Sequence, residues 1–172
     1  MNRRLYLFAL ALTLAGCGAE KPAVQSTEPF HIAEVQAVGP LPSGTSEWQL
    51  EDLRRETASL ATLVPETGNP RLLQLRILGF HKKSPGMSFI VGDSNWIDVS
   101  GVVMSLDGGQ SLGSFTAHVS TDAYVNGIIG ATVAATESNT DAARELNDKA
   151  ASAILEKIYG TRAWNAWANR RR

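Results

Sequence analysis

The 172-residue chain has one cysteine, Cys17. With no second thiol there is no internal disulfide and no cysteine-based metal site, so stability has to come from an ordinary core. No apolar run approaches the roughly 20 residues that a membrane-crossing helix needs. The formal charge is −1, which gives no global signature of nucleic-acid binding. No segment recurs at a fixed period, which excludes a solenoid. A His-Glu-x-x-His pair and a glycine-rich phosphate loop with its lysine are both missing, and no cofactor is expected.

What is present begins with Arg3 and Arg4, a positive n-region, followed by an apolar stretch over residues 5–14 and then Leu14-Ala15-Gly16-Cys17. The apolar stretch has the length of a secretory signal, and the small residues Ala15 and Gly16 give a peptidase access to the bond before Cys17. This run resembles the bacterial lipoprotein signal over residues 1–18. The resemblance implies removal of residues 1–16, a lipid on the Cys17 thiol and an acylated new amino terminus, with Leu14, Ala15 and Gly16 as the processing residues. Gly rather than Asp at position 18 then implies a periplasm-facing protein of the outer membrane. Removing Arg3 and Arg4 takes the formal charge from −1 to −3. About 155 residues remain, enough for one domain burying roughly two thirds of its unfolded surface.

Residues 17–29 lack periodicity and are rich in polar and breaking residues, which predicts a flexible tether reaching up to roughly 40 Å from the lipid. The folded part is expected over residues 30–160. Residues 31–38 read as a strand with Ile32, Val35 and Val38 apolar. Ser46 with Gln49 is a capping box opening a helix whose stripe is Leu50, Leu53, Thr57, Leu60 and Val64, and Pro65 stops it. Leu73, Leu75 and Ile77 alternate with Gln74 and Arg76 in a second strand over 71–80. Strands over 96–106 and 111–120 flank the turn signal Asp107-Gly108-Gly109 and predict an antiparallel hairpin. Residues 87–91 suit either a short strand or a loop. The last helix is expected to start near Asn139 or Thr140 and to stop at Gly160.

This β-α-β-β-β-α order predicts an α+β fold, a mixed or mainly antiparallel sheet with two helices packed on one face. If the first two strands are parallel neighbours, their crossover should be right-handed. The order loosely resembles small α+β envelope lipoproteins related to the curli secretion lipoprotein, the penicillin-binding-protein activator lipoproteins and the amino-terminal domain of the Tol translocation protein. That resemblance carries no functional residues.

Gly109-Gln110-Ser111-Leu112-Gly113 satisfies Gly-x-Ser-x-Gly, but a nucleophile elbow needs a strand, a strained turn and then a helix, whereas Ser111 here opens a strand. His118, farther along that strand, alternates to the opposite face from Ser111. His31, His81 and His118 are single and widely spaced, and Asp93, Asp98 and Asp107 show no pairing in sequence, so no metal ligand set and no catalytic carboxylate pair is assigned.

Two segments offer contact surfaces. Residues 123–135 carry small residues in rows, Gly127, Ala131 and Ala135 beside Gly130 and Ala134, which suits a buried connector or a self-association element. The tail over 161–172 places Trp164 and Trp167 on one helical face among Arg162, Arg170, Arg171 and Arg172, which suits a partner or an anionic membrane surface, or a fold-back onto the sheet. The expectation is a non-catalytic adaptor or assembly factor of an envelope complex, attached to the membrane through Cys17 and contacting an envelope protein. A carrier of a small apolar ligand and a tethered serine hydrolase are the alternatives.

Overall fold

A computed structural model describes residues 22–24, 26–84, 87, 93–107, 109–121 and 138–171. Among these described residues, four strands and three helices follow in the order β1 (Phe30–Ala37), α1 (Glu47–Ala61), β2 (Asn69–His81), β3 (Trp96–Ser105), β4 (Ser111–Ser120), α2 (Asn139–Tyr159) and α3 (Thr161–Ala168), and a 3-10 turn (Asn169–Arg171) follows α3. The expected strand over residues 87–91 lies outside the described residues apart from Met87, as does the segment 123–135.

The sheet is mixed and open, in the order β1-β2-β3-β4. β1 runs parallel to β2, with Val35 opposite Leu73. β2 and β3 are antiparallel, as are β3 and β4. The α+β fold class expected from element order is therefore the one observed. α1 and α2 pack on each other, α1 leans on β1, and α2 crosses β3 and β4. Between the layers Leu53, Leu73, Leu75, Ile97, Val99, Leu146 and Ile154 are fully or almost fully buried. Each such side chain contributes about 1.5–3 kcal/mol on leaving water.

Alternation dictates this arrangement. Leu73, Leu75 and Ile77 on β2, Ile97, Val99 and Val103 on β3, and Phe115 and Ala117 on β4 all turn toward the helices. Their alternating neighbours Gln74, Arg76, Trp96, Asp98, Ser100, Thr116 and His118 form the face that no described helix covers. The expected stripe on α1 is correct in direction, but its neighbour Asp52 is also buried. There Asp52 accepts from Arg55 and from Asn147 Nδ2 at 3.0 Å.

The helix ends follow local chemistry. Ser46 Oγ accepts the Gln49 N–H at 3.2 Å. The Gln49 side chain is buried, and its Nε2 lacks a partner. α2 starts at Asn139 as expected and is capped by Ser138, whose Oγ accepts the Asp141 N–H at 3.0 Å. Gly160 ends α2 at φ +84°, a left-handed conformation that glycine adopts without steric cost, and the chain turns directly into α3.

Candidate functional site

Strand direction divides the molecule into two ends. The first end holds the start of β1, the end of α2 and all of α3. Here residues 22–24, expected within a flexible tether, lie against the domain. Ala23 N–H donates to the Lys157 carbonyl at 2.8 Å, and Val24 is only 4% exposed within the core cluster. Pro22 sits against Gly160, and the Ala23 carbonyl lies so close to Gly113 that a side chain there would collide with it. The tether expectation is thus corrected for these residues: the domain supplies a cleft for the apolar Val24 and a carbonyl for the Ala23 N–H.

Beside this segment Tyr159 joins three elements. Its ring stacks on Phe30 at 5.2 Å, meets Trp167 edge-on at 5.2 Å, and its hydroxyl accepts the Ile32 N–H at 3.1 Å. Burial pushes the phenol up to about 12, opposed weakly by the Ile32 hydrogen bond. A cleft of about 360 Å³ opens here between Val24, Pro29, Phe30, Val64, Tyr159 and Trp167.

The tail folds back. Trp164 is 2% exposed and its Nε1–H donates to Ser152 Oγ at 2.9 Å, so this residue, expected as a partner or membrane contact, is part of the core. A large apolar ring with a satisfied indole N–H gains more from that pocket than from solvent. Trp167 is partly buried against Tyr159, while Arg162 and Arg170 are exposed. Arg171 closes the 3-10 turn, but its side chain, together with Arg172, lies outside the described residues, as do Leu14, Ala15, Gly16, Cys17, Gly127, Gly130 and Ala131.

The opposite end carries the ends of β2 and β4 and the start of β3. His81 Nε2 lies 2.9 Å from Asp93 Oδ1, and His118 Nδ1 lies 2.7 Å from Asp98 Oδ1. Between the two histidines stands Trp96, with ring centroids 5.8 Å from His81 and 5.9 Å from His118. Asn95, fully buried, fastens the approaches: its Oδ1 accepts the Lys83 N–H at 2.8 Å and its carbonyl accepts the Thr121 N–H at 2.9 Å. Also at this end, Trp48 is 39% exposed beneath the Arg144 guanidinium, 5.5 Å above its ring.

Sequence reading named His81, His118, Asp93 and Asp98 singly and missed their assembly around Trp96. No spacing in the sequence marks these pairs, since the register between antiparallel strands decides which residues meet. Among the described residues no group of three or more metal-ligating side chains converges.

Ser111 begins β4 on the far side of the hairpin rather than a helix, so the elbow context is absent at this serine. Asp107 organises that turn. Its carboxylate accepts from Ser105 Oγ and, at 3.1 Å, from Gly109 N–H, and these bonds, the Ser105 one first, hold it below the usual carboxylate range. The expected alternation of Ser111 and His118 to opposite faces fails, because a register shift between Val103 and Met104 puts Ser111 opposite Met104 and so on the face of His118. Seven residues of strand still separate them, about 23 Å.

These features define an open-faced α+β sandwich. The chain matches no protein-family model and no curated protein. Among solved structures it is similar to a candidate lipoprotein from Caulobacter crescentus CB15 at 13% identity, covering 78% of this chain and 90% of that one, with a TM-score of 0.41. A minor lipoprotein from Acinetobacter baumannii is similar at 16% identity, covering 83% and 96%, with a TM-score of 0.39. A PelC dodecamer from Paraburkholderia phytofirmans is similar at 11% identity, covering 76% and 87%, with a TM-score of 0.39. At these scores the functional argument rests on the chain's own residues.

Proposed function

We propose that this chain is a bacterial envelope lipoprotein, attached through a lipid on Cys17, whose non-catalytic domain serves as an adaptor or assembly factor held close to its membrane. The observation that carries the reading is the docking of residues 22–24 onto the end of α2 and the edge of β4. Only four residues then separate Cys17 from Pro22, a reach of about 17 Å over five extended steps, well short of the roughly 40 Å of a free tether. The α3 end, with Arg162 and Arg170 exposed, becomes the membrane-proximal one. The end bearing Trp48, Trp96, His81 and His118 becomes the partner-facing one.

Two further features support an adaptor over the alternatives. Leu53, Leu73, Leu75, Val99, Leu146 and Ile154 fill the middle of the interface between sheet and helices, and the clefts of about 360 Å³ beside Tyr159 and about 310 Å³ between β1 and α1 lie open at its β1 margin, whereas a carrier of an apolar ligand would enclose a chamber between the layers. Ser111 lies in a hairpin rather than at a helix start.

Site-specific photocrosslinking in native membranes tests the reading, with the crosslinker placed singly at Trp48, Thr116, Arg162 or Arg170. The expected result is one envelope protein captured from Trp48 or Thr116 and lipid captured from Arg162 or Arg170. A Cys17→Ala chain should leave the membrane fraction. No protein captured from any position removes the adaptor role, and membrane retention of Cys17→Ala removes the lipid anchor.

A further inference from the structure

Trp96 stands on the sheet face that no described helix covers, with His81, Asp98, Ser100, Thr116 and His118 near it and the apolar Val102 and Met104 farther along β3. The register puts Trp96 between His81 and Ser120, and Asp98 between Gly79 and His118. In the next row on this face Ser100 stands between Arg76 and Thr116. The indole reaches diagonally across β2: a Cβ built at Gly79 would lie 3.0 Å from its Cζ3 and 3.3 Å from its Cη2. Glycine at 79 therefore gives the ring the space to lie over the strand.

The polar groups around the ring are held in place. Asp93 binds His81 through Nε2 and also accepts the Ser84 N–H at 2.8 Å, while Asp98 binds His118 through Nδ1. Each imidazole thus donates one N–H to a carboxylate, which orients the ring and leaves the second nitrogen of the neutral ring as an acceptor. Asp93 is the more buried of the two carboxylates, and the His118 side chain is the most exposed member at 63%. The rigidity of the Asn95 and Thr121 contacts behind them keeps the arrangement assembled before any ligand arrives.

We propose that this face is a glycan-binding site, with Trp96 as the stacking platform and His81, His118 and Asp98 as the flanking hydrogen-bonding groups. A pyranose ring presents a row of polarised C–H bonds on one face and hydroxyls around its rim. The negative face of an indole attracts the former, and donors and acceptors beside it satisfy the latter. An indole set among Asp98, Ser100, Thr116 and the two histidines matches that two-sided chemistry. Both carboxylates are already engaged by imidazoles, so the preferred glycan is uncharged. The inference stands on the sheet face alone and is independent of lipid attachment at Cys17.

The test is titration of the full chain, in a sugar-free zwitterionic detergent, with cellotriose and with tri-N-acetylchitotriose, followed by saturation-transfer NMR of the sugar protons and by tryptophan fluorescence. At least one of these uncharged trisaccharides should bind, with ring C–H protons saturated most strongly. Trp96→Ala should weaken binding by about tenfold, the scale of one lost aromatic contact. Trp96→Phe should retain part of it, and Gly79→Val, which displaces the ring and leaves its chemistry, should weaken it like the alanine variant. Circular dichroism and urea midpoints establish that each variant is folded. Binding of neither uncharged sugar, equal binding by the Trp96→Ala chain, or tighter binding of trigalacturonate or triglucosamine would each overturn the proposal.

Discussion

Tyr159 latches the last helix to the outer edge of the sheet, and replacing it by phenylalanine isolates one oxygen. The ring would keep its contacts with Phe30 and Trp167, but the Ile32 N–H, in a buried residue of an edge strand, would lose its acceptor. Leaving a buried donor unmatched costs about 1–3 kcal/mol. With a urea slope of about 2 kcal/mol/M, the unfolding midpoint should fall by about 1 M near neutral pH. The same oxygen sets an alkaline limit. Burial raises the native phenol from 10.0 to about 12. Below the lower value both native and unfolded chains hold the proton, and the stabilisation is fully present. Between the two values the unfolded chain has released its proton while the native one retains it, so stability declines as pH rises, by about 3 kcal/mol across the window. Urea titrations of both chains between pH ~8 and ~12 measure this, and the native chain should lose its advantage over the Tyr159→Phe variant as pH climbs. Equal midpoints near neutral pH, or parallel alkaline declines in the two chains, would refute the latch.

Asn147→Ala should destabilise the domain by about 1–3 kcal/mol, because Asn147 Nδ2 donates to the Gln49 carbonyl and to Asp52 Oδ2, each at 3.0 Å, where α1 and α2 meet; chemical denaturation reads this directly. Val24→Asp puts a carboxylate where a 4%-exposed side chain now sits, so residues 22–24 should detach and limited proteolysis should cut before Phe30 far faster than in the native chain, while the sheet stays folded. Ser111→Ala should change stability by less than about 0.5 kcal/mol, since Ser111 is an exposed strand residue. It should also leave any glycan binding at Trp96 unchanged, which the NMR titration checks.

Periodicity made the elements legible. β4 and α2 cover the expected residues, and β1, β2 and β3 differ from expectation only at their ends, because Leu73, Leu75 and Ile77 or Leu146, Ala150 and Ile154 mark a buried face whatever lies on top of it. The turn chemistry of Asp107 likewise fixed the hairpin without knowledge of its neighbours. What depended on distant residues was hidden. Trp164 and Trp167 share a face, yet only the packing of α3 on α2 decides that Trp164 turns inward. The composition of residues 22–24 signals a linker, and the carbonyl of Lys157, more than 130 positions later, makes it part of the fold. The Trp96 cluster is drawn from β2, β3, β4 and the approach to β3, so no local window contains it. The register shift near Val103 inverted an alternation that counting residues would have trusted.

The bond from Ala23 to Lys157 also orders events in time. A chain made from its amino terminus presents residues 22–24 well before the end of α2. Their binding place on the domain is completed only when α2 has formed against the sheet, so the first of the described residues to be made are among the last to dock, and their docking reports that the long helix has closed over the sheet.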